Sequence, residues 1–440
     1  MILTASPSRA LSGRIALPGD KSLSHRAALF ASLADGRSCI RNFLTAGVTA
    51  VMLRSLLDLG ISWSLAGSTL TVNGRGLHGY RPPKDCLDCG SSATTLRLLA
   101  GALAASGVPG ILDGSAGLRS RPMRRLTDPL QRMGVPILTS GNGGAPLTIS
   151  ARPVSQPLKA LEYTLPVASA QVKSALLLAG LAADGPTILH EPGPSRDHTE
   201  RMLSAMGFKL ISRYAPGELI TTLDPGGRLT PLDIILPGDL SSAAFLLVAA
   251  LIVPDSQVTL CDVGLNPTRT GLIDALLAMG ADIQIVEKGQ QCGEPFGDIT
   301  ASSSRLKATK ISGDLVVRMI DEFPVLAVAA ACARGVTVVE QAAELRFKES
   351  DRIAVLCKEL GRIGVEICET ADGFTIQGGL KFSGGAADAH ADHRLAMALA
   401  VAGLAADAPV RITGAESIRE SFPGFVAALR GLGADLKEQV

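Results

Sequence analysis

Six times along this chain of 440 residues a short helical stretch ends in Leu, Met or Ile, a glycine follows, and a strand begins. The copies are L-L-D-L-G-I-S at Gly60, L-Q-R-M-G-V-P at Gly134, L-S-A-M-G-F-K at Gly207, L-L-A-M-G-A-D at Gly280, L-G-R-I-G-V-E at Gly364 and L-R-G-L-G-A-D at Gly433. Their spacings are 74, 73, 73, 84 and 69 residues. A near-constant period of this size marks a repeated supersecondary unit, which restricts the possible folds more than any single motif does. The glycine suits its place, because a left-handed residue ends a helix at low cost only when it has no Cβ.

Each copy holds a second helix upstream, over Thr94–Ser106, Ser169–Ala183, Ser241–Val253, Glu322–Arg334 and His393–Ala405 in five of them. Segments such as A-A-F-L-L-V-A-A-L-I-V are apolar on every side, the mark of a helix buried all round. The helices before the glycines, such as H-T-E-R-M-L-S-A-M, have one apolar stripe and belong at a surface. Strands follow both kinds, as in T-I-L-H-E, and V-P-I-L-T-S and P-L-T-I-S-A flank the turn G-N-G-G as a hairpin. The unit therefore reads β-α-β-α-β-β.

The last copy is incomplete. After Gly433 only A-D-L-K-E-Q-V remains, so its hairpin lacks a second strand, and the helix-free residues before Asp20 can supply one. The expected fold class is α/β, with two domains of three repeats each. Residues 20–236 form the first domain; residues 1–19 and 237–440 form the second, completed by the N-terminal strand. The chain crosses between them at L-P-G-D corners, Leu17–Asp20 and Leu236–Asp239, and paired hinges are expected near Gly19 and Gly238. Asp20 and Asp239 can each cap the helix that follows.

The two corners differ in charge. Lys21, Ser22 and Arg26 follow the first, whereas Leu240, Ser241 and Phe245 stand at the matching positions of the second. Cations at a helix N-terminus are unfavourable unless an anion is present, so the first corner reads as an anion site. It is not a Walker loop, since G-x-x-x-x-G-K-[ST] is absent. Other charged groups gather at helix starts: Arg97, Arg121, Gln171 with Lys173, Arg196, Asp321, Arg346 to Arg352, and Asp392 to Arg394. A net charge of +1 and 3% aromatic residues leave no general field or stacking platform for nucleic acid, so anion binding must come from local clusters of this kind.

The eight cysteines are scattered, and Cys86-Leu-Asp-Cys89 is the only close pair, without the further ligands of a zinc site. Reduced, mostly buried thiols are expected. No basic segment followed by an apolar core opens the sequence, and no apolar run is long enough for a bilayer. A cytoplasmic protein that engages neither membrane nor nucleic acid is the expectation.

D-K-S-L-S-H-R, G-S-S-A-T-T-L-R, R-P-M, A-S-A-Q-V-K-S-A, M-I-D-E-F-P, K-E-S-D-R and D-H-R, in this order and spacing, resemble the 5-enolpyruvylshikimate-3-phosphate synthases, the 3-phosphoshikimate 1-carboxyvinyltransferases. The resemblance covers essentially the whole chain and looks closer to the glyphosate-tolerant branch. It implies an inside-out α/β barrel in each domain, and transfer of the enolpyruvyl group of phosphoenolpyruvate to the 5-hydroxyl of shikimate 3-phosphate. The resemblance also implies that Lys21, Ser22, Arg26, Ser169, Ala170, Gln171, Arg196, Asp321 and Lys348 hold shikimate 3-phosphate. Lys21, Ala93, Thr94, Arg121, Gln171, Arg352 and Arg394 would hold phosphoenolpyruvate, with Asp321, Glu349 and Lys21 as the proton-transfer groups. No metal, no organic cofactor, a monomeric state and weak inhibition by glyphosate follow from the same likeness.

Three positions depart from the family pattern. Ser91-Ser92-Ala93-Thr94 replaces Asn-Ala-Gly-Thr, Glu420 stands where many members have a lysine before Thr-Phe-Pro, and Glu344 replaces an asparagine. Arg419 could stand in for the missing lysine only if its loop shifts. Two rival readings are the sister transferase acting on UDP-N-acetylglucosamine and a non-catalytic anion-binding scaffold. The first is disfavoured by D-K-S-L-S-H-R and by the lack of a cysteine in Ala116–Arg121, the second by Asp321 and Glu349 beside the full set of cations.

Overall fold

The computed structural model describes residues 1–379 and 381–439. The chain divides into two compact units. One comprises Met1–Pro18, Pro237–Gly289 and Pro295–Val440; the other comprises Gly19–Leu236 and Gln290–Glu294. The short segment Gln290–Glu294 spans the turn at Cys292 and Gly293 and the adjoining ends of the strands Asp282–Gln291 and Glu294–Ser302, and no sequence pattern marked its grouping with residues 19–236.

Among the described residues there are six four-stranded sheets, one for each repeat. The third shows the plan. Leu161–Thr164 pairs in parallel with Thr187–Glu191, which pairs antiparallel with Glu218–Leu223, and that strand pairs antiparallel with Leu210–Ala215. The first pair is parallel because the helix Ala170–Gly180 carries the chain back to the start of the sheet. The second helix, His198–Ala205, leads into the closing hairpin. The six period-marking glycines all have positive φ: +81° at Gly60, +90° at Gly134, +104° at Gly207, +86° at Gly280, +94° at Gly364 and +104° at Gly433.

Strand Ile2–Ala5 lies between Val410–Thr413 and Leu436–Gln439, antiparallel to both, with Ile2 opposite Thr413 and Gln439. The L-P-G-D corners involve a further exchange. Ser12–Ala16 precedes the first corner yet pairs with Gln257–Gly264, whereas Asp233–Ile235 precedes the second and pairs with Asp35–Arg41. At each corner the strand therefore stays in one unit while the next helix opens in the other. Gly19 is needed there for close approach, since a Cβ would lie 1.9 Å from the Asn42 carbonyl oxygen.

Each unit has its own apolar core around three central helices. In the unit of residues 19–236 these are Lys21–Leu33, Ala93–Ser106 and Ala170–Gly180; in the other they are Leu240–Ile252, Phe323–Cys332 and His393–Leu404. Every residue from Leu240 to Leu251 is buried, as the all-round apolar pattern requires. No helix among the described residues is long and apolar enough to cross a membrane. The cysteines depart from expectation: all eight are free, but only Cys89 is fully buried, and Cys86 and Cys368 are exposed. None lies in the interior of a central helix: Cys332 is the last residue of Phe323–Cys332, Cys357 is in the outer helix Arg352–Arg362, and the others are in strands, turns and loops.

Candidate active site

In the unit of residues 19–236, Asp20 caps the helix Lys21–Leu33 by accepting from the Leu23 N–H at 2.9 Å. Lys21 and Ser22, in the first turn, are half-buried. Arg26, one turn on, is 2% exposed. Its Nε donates to Thr199 Oγ1 (2.8 Å), its Nη2 to Ser174 Oγ (2.8 Å) and its Nη1 to the Ser22 carbonyl (3.2 Å). Burial lowers its pKa to about 10, with Glu200 opposing that shift. The guanidinium thus ties three helix starts together, a bracing role that its place in the motif did not reveal.

Lys173 requires a correction. The sequence groups it with ligand-facing cations, but its side chain is wholly buried between Glu191 (2.6 Å) and Glu200 (2.7 Å). Burial works against its charge, and the two carboxylates outweigh that and raise its pKa. Glu191 also accepts from Ser195 Oγ at 2.5 Å. The buried lysine therefore braces the loop that presents the half-buried Arg196.

Ser92 caps the helix Ala93–Ser106, accepting from the Thr95 N–H at 3.1 Å, and places Ala93 (3% exposed) and Thr94 in its first turn. Gln171 Nε2 donates to Thr94 Oγ1 (2.8 Å), while Arg97 Nη1 donates to Gln171 Oε1 (2.5 Å). The Gln171 amide is therefore oriented from both ends. Arg97, given no role by the resemblance, supplies one of them. Ser169 and Ala170 open the helix that carries Gln171, and Arg121 follows the short helix Ala116–Arg119.

In the other unit the predicted residues form one cluster. Arg352 Nη1 (3.4 Å), Lys348 Nζ (3.5 Å) and Arg394 Nη2 (3.5 Å) converge on the Asp321 carboxylate. Arg352 is also paired with Glu349 (2.6 Å) and, through Nε, with Asp392 (2.8 Å). Asp392 in turn caps the helix His393–Leu404 by accepting from the Arg394 N–H at 2.9 Å, and accepts from Ser350 Oγ at 3.1 Å. Burial opposes the Arg352 charge, but Asp392, Glu349 and Asp321 outweigh it and raise its pKa. Asp392 is likewise held below the usual carboxylate range, where Arg352 overcomes the cost of burial. Sequence reasoning gave Asp392 no role beyond its motif; an aspartate at a helix start, two residues before an arginine, was the available signal.

The twin corner is not without a cation either. Arg269, in N-P-T-R-T-G, is 3% exposed and donates to Ser241 Oγ at 2.6 Å. Sequence spacing suggested no metal cluster, yet donor atoms of Asp197, His198 and Glu294 lie within 4.8 Å of one another. Arg201 pairs with Asp197 at 2.8 Å, and His198 Nδ1 bonds Glu294 Oε1 at 2.8 Å, so the three groups are already paired within the protein.

Two units, each of three four-stranded repeats around buried helices, define the enolpyruvyl transferase class. The enolpyruvyl transferase NikO from Streptomyces tendae shares the fold, with a TM-score of 0.80 at 19% identity over 100% of this chain and 98% of that one. The chain belongs to the EPSP synthase (3-phosphoshikimate 1-carboxyvinyltransferase) family, whose model matches residues 5–429. The 3-phosphoshikimate 1-carboxyvinyltransferase of Citrifermentans bemidjiense is 47% identical, covering 98% of each chain. That of Halorhodospira halophila is 49% identical over 97% of this chain and 95% of its own. The EPSP synthase from Acinetobacter baumannii has a TM-score of 0.87 at 41% identity, covering 100% of both chains.

Proposed function

We propose that this chain transfers the enolpyruvyl group of phosphoenolpyruvate to the 5-hydroxyl of shikimate 3-phosphate and releases phosphate, by addition and then elimination. The observation that carries this reading is the Asp321 cluster, where two arginines and a lysine surround a carboxylate with Glu349 beside them. Both substrates carry a phosphate and a carboxylate, and converging cations suit such groups and the charge that builds in the transition state. Arg352, Arg394 and Arg121 take phosphoenolpyruvate, with Gln171 and the backbone at Ala93 and Thr94. Lys348, Arg196, Ser22, Arg26, Ser169, Ala170 and Gln171 take shikimate 3-phosphate. Asp321 removes the hydroxyl proton, Glu349 serves the methylene carbon, and Lys21 stands between the substrates. No metal or organic cofactor takes part in this chemistry, the enzyme acts as a cytoplasmic monomer, and paired hinges near Gly19 and Gly238 belong to the same reading. Phosphate release that requires both substrates is the test; release with phosphoenolpyruvate alone, or none with the pair, would count against it.

The reading extends to glyphosate, which in this family competes with phosphoenolpyruvate. Ala93 is buried at the first position of its helix, where sensitive members have glycine. Its methyl group crowds a ligand longer than phosphoenolpyruvate. A steric penalty of about 2 kcal/mol weakens glyphosate roughly 30-fold. Ala93→Gly then lowers the inhibition constant by that factor with little change in KM for phosphoenolpyruvate. Equal inhibition of both forms would remove Ala93 as the cause.

A further inference from the structure

We infer that Arg269 is a positioning residue for the Asp321–Arg394 cluster, acting through Ser241 and Glu322; the catalytic part of this inference rests on the proposed function. Arg269 Nη2 donates to Ser241 Oγ at 2.6 Å, and the same hydroxyl donates to Glu322 Oε1. That carboxylate oxygen lies 3.7 Å from Arg394 Nη1, while Arg394 Nη2 lies 3.5 Å from Asp321. Arg269, Ser241, Glu322 and Arg394 are all at most 4% exposed, so the relay runs through the protein interior. A cation beside the N-terminus of the helix Leu240–Ile252 is unfavourable alone; Asp239, 3.6 Å from Arg269, and Glu322 beyond Ser241 offset it.

The turn that carries Arg269 is hydrogen-bonded within itself and to the helix that precedes Asp321. The Thr268 N–H and hydroxyl both donate to Asn266 Oδ1 (2.9 and 2.7 Å), and the Arg269 N–H donates to the Asn266 carbonyl (2.8 Å). Arg318, which ends the helix leading to Asp321, donates to the Pro267 carbonyl (2.8 Å) and to Thr270 Oγ1 (2.9 Å). Gly271 abuts that helix so closely that a Cβ would lie 2.9 Å from Arg318. The first corner draws its cations from its own helix; the second receives one from this turn and uses it to hold a carboxylate. When the Ser241 hydroxyl no longer restrains Glu322, the carboxylate is drawn to Arg394, which then competes less well for an anionic substrate.

The test is a cycle of Arg269→Gln, Glu322→Gln and the double variant. Arg269→Gln raises KM for phosphoenolpyruvate about tenfold, leaving the Kd of shikimate 3-phosphate, measured by titration calorimetry, within about twofold. The double variant is no worse than Glu322→Gln, because Arg269 acts through that carboxylate. Effects that multiply, or an Arg269→Gln protein with unchanged KM, overturn the proposal. If Arg269→Gln does not fold, Ser241→Ala breaks the relay while Arg269 keeps Asp239, and the same KM shift is expected. A readout independent of turnover is the crystal structure of Ser241→Ala, in which the Glu322–Arg394 separation shortens below 3.7 Å; an unchanged separation counts against the relay even if the unaltered chain does not use the proposed substrates.

Discussion

Two predictions belong to single residues. Asp321→Asn keeps the shape of the side chain and removes the base, so kcat falls roughly 10²-fold or more while shikimate 3-phosphate binding changes far less. Substantial retained turnover would send the hydroxyl proton elsewhere, with Lys21 the first group to examine. His25 is buried, with Nδ1 2.8 Å from the Lys21 carbonyl oxygen. Burial, and then the charges of Lys21 and Arg26, lower its pKa to about 4. The unfolded chain binds a proton near pH 6.5 that the folded chain accepts only near pH 4, so this stability is complete above pH 6.5 and lost as pH falls toward 4. The full effect is about 3 kcal/mol. Denaturant titrations from pH 7 to 4 should show that slope reduced in His25→Gln; the same slope in both proteins would place its origin in other groups.

At the scale of elements, the close approach of two central helices decides a sign. A Cβ on Gly101 would lie 2.4 Å from the Ala175 carbonyl oxygen of the neighbouring helix Ala170–Gly180. Alanine is the better helix former by about 1 kcal/mol. Forcing two backbones apart costs about 1–3 kcal/mol, so the clash wins. Gly101→Ala should lower the thermal midpoint by a few degrees, and a raised midpoint would mean that the helices separate freely. The six period-marking glycines differ in kind. Gly134 and Gly280 have open space at Cβ, so only backbone conformation requires glycine there.

At the scale of the whole molecule, the described residues form two apolar cores, one for each unit. Leu176, wholly buried in the unit of residues 19–236, tests whether they behave separately. Leu176→Ala removes packing worth about 2–5 kcal/mol. Hydrogen exchange should then quicken within residues 19–236, with the helix Leu240–Ile252 keeping its protection. Equal loss of protection throughout would show that the two cores unfold as one.

The repeat, the buried helices, the need for a borrowed strand and the site motifs were legible in the sequence, because glycine conformation and apolar periodicity depend on neighbours a few residues away. Asp321, Glu349, Arg352 and Arg394 could be nominated from their motifs, but the pairing that joins them could not. Arg269 and Ser241 are 28 residues apart and Ser241 and Glu322 are 81 apart, so their relay exists only once separate repeats pack together. For the same reason the sequence could not separate the half-buried Lys21 from Lys173, closed between two carboxylates, or show that each strand before a corner stays behind while its helix crosses. Local pattern determined which elements form and where they end. The tertiary structure decided which charges meet, because Coulomb and hydrogen-bond partners are chosen by distance in space and by burial.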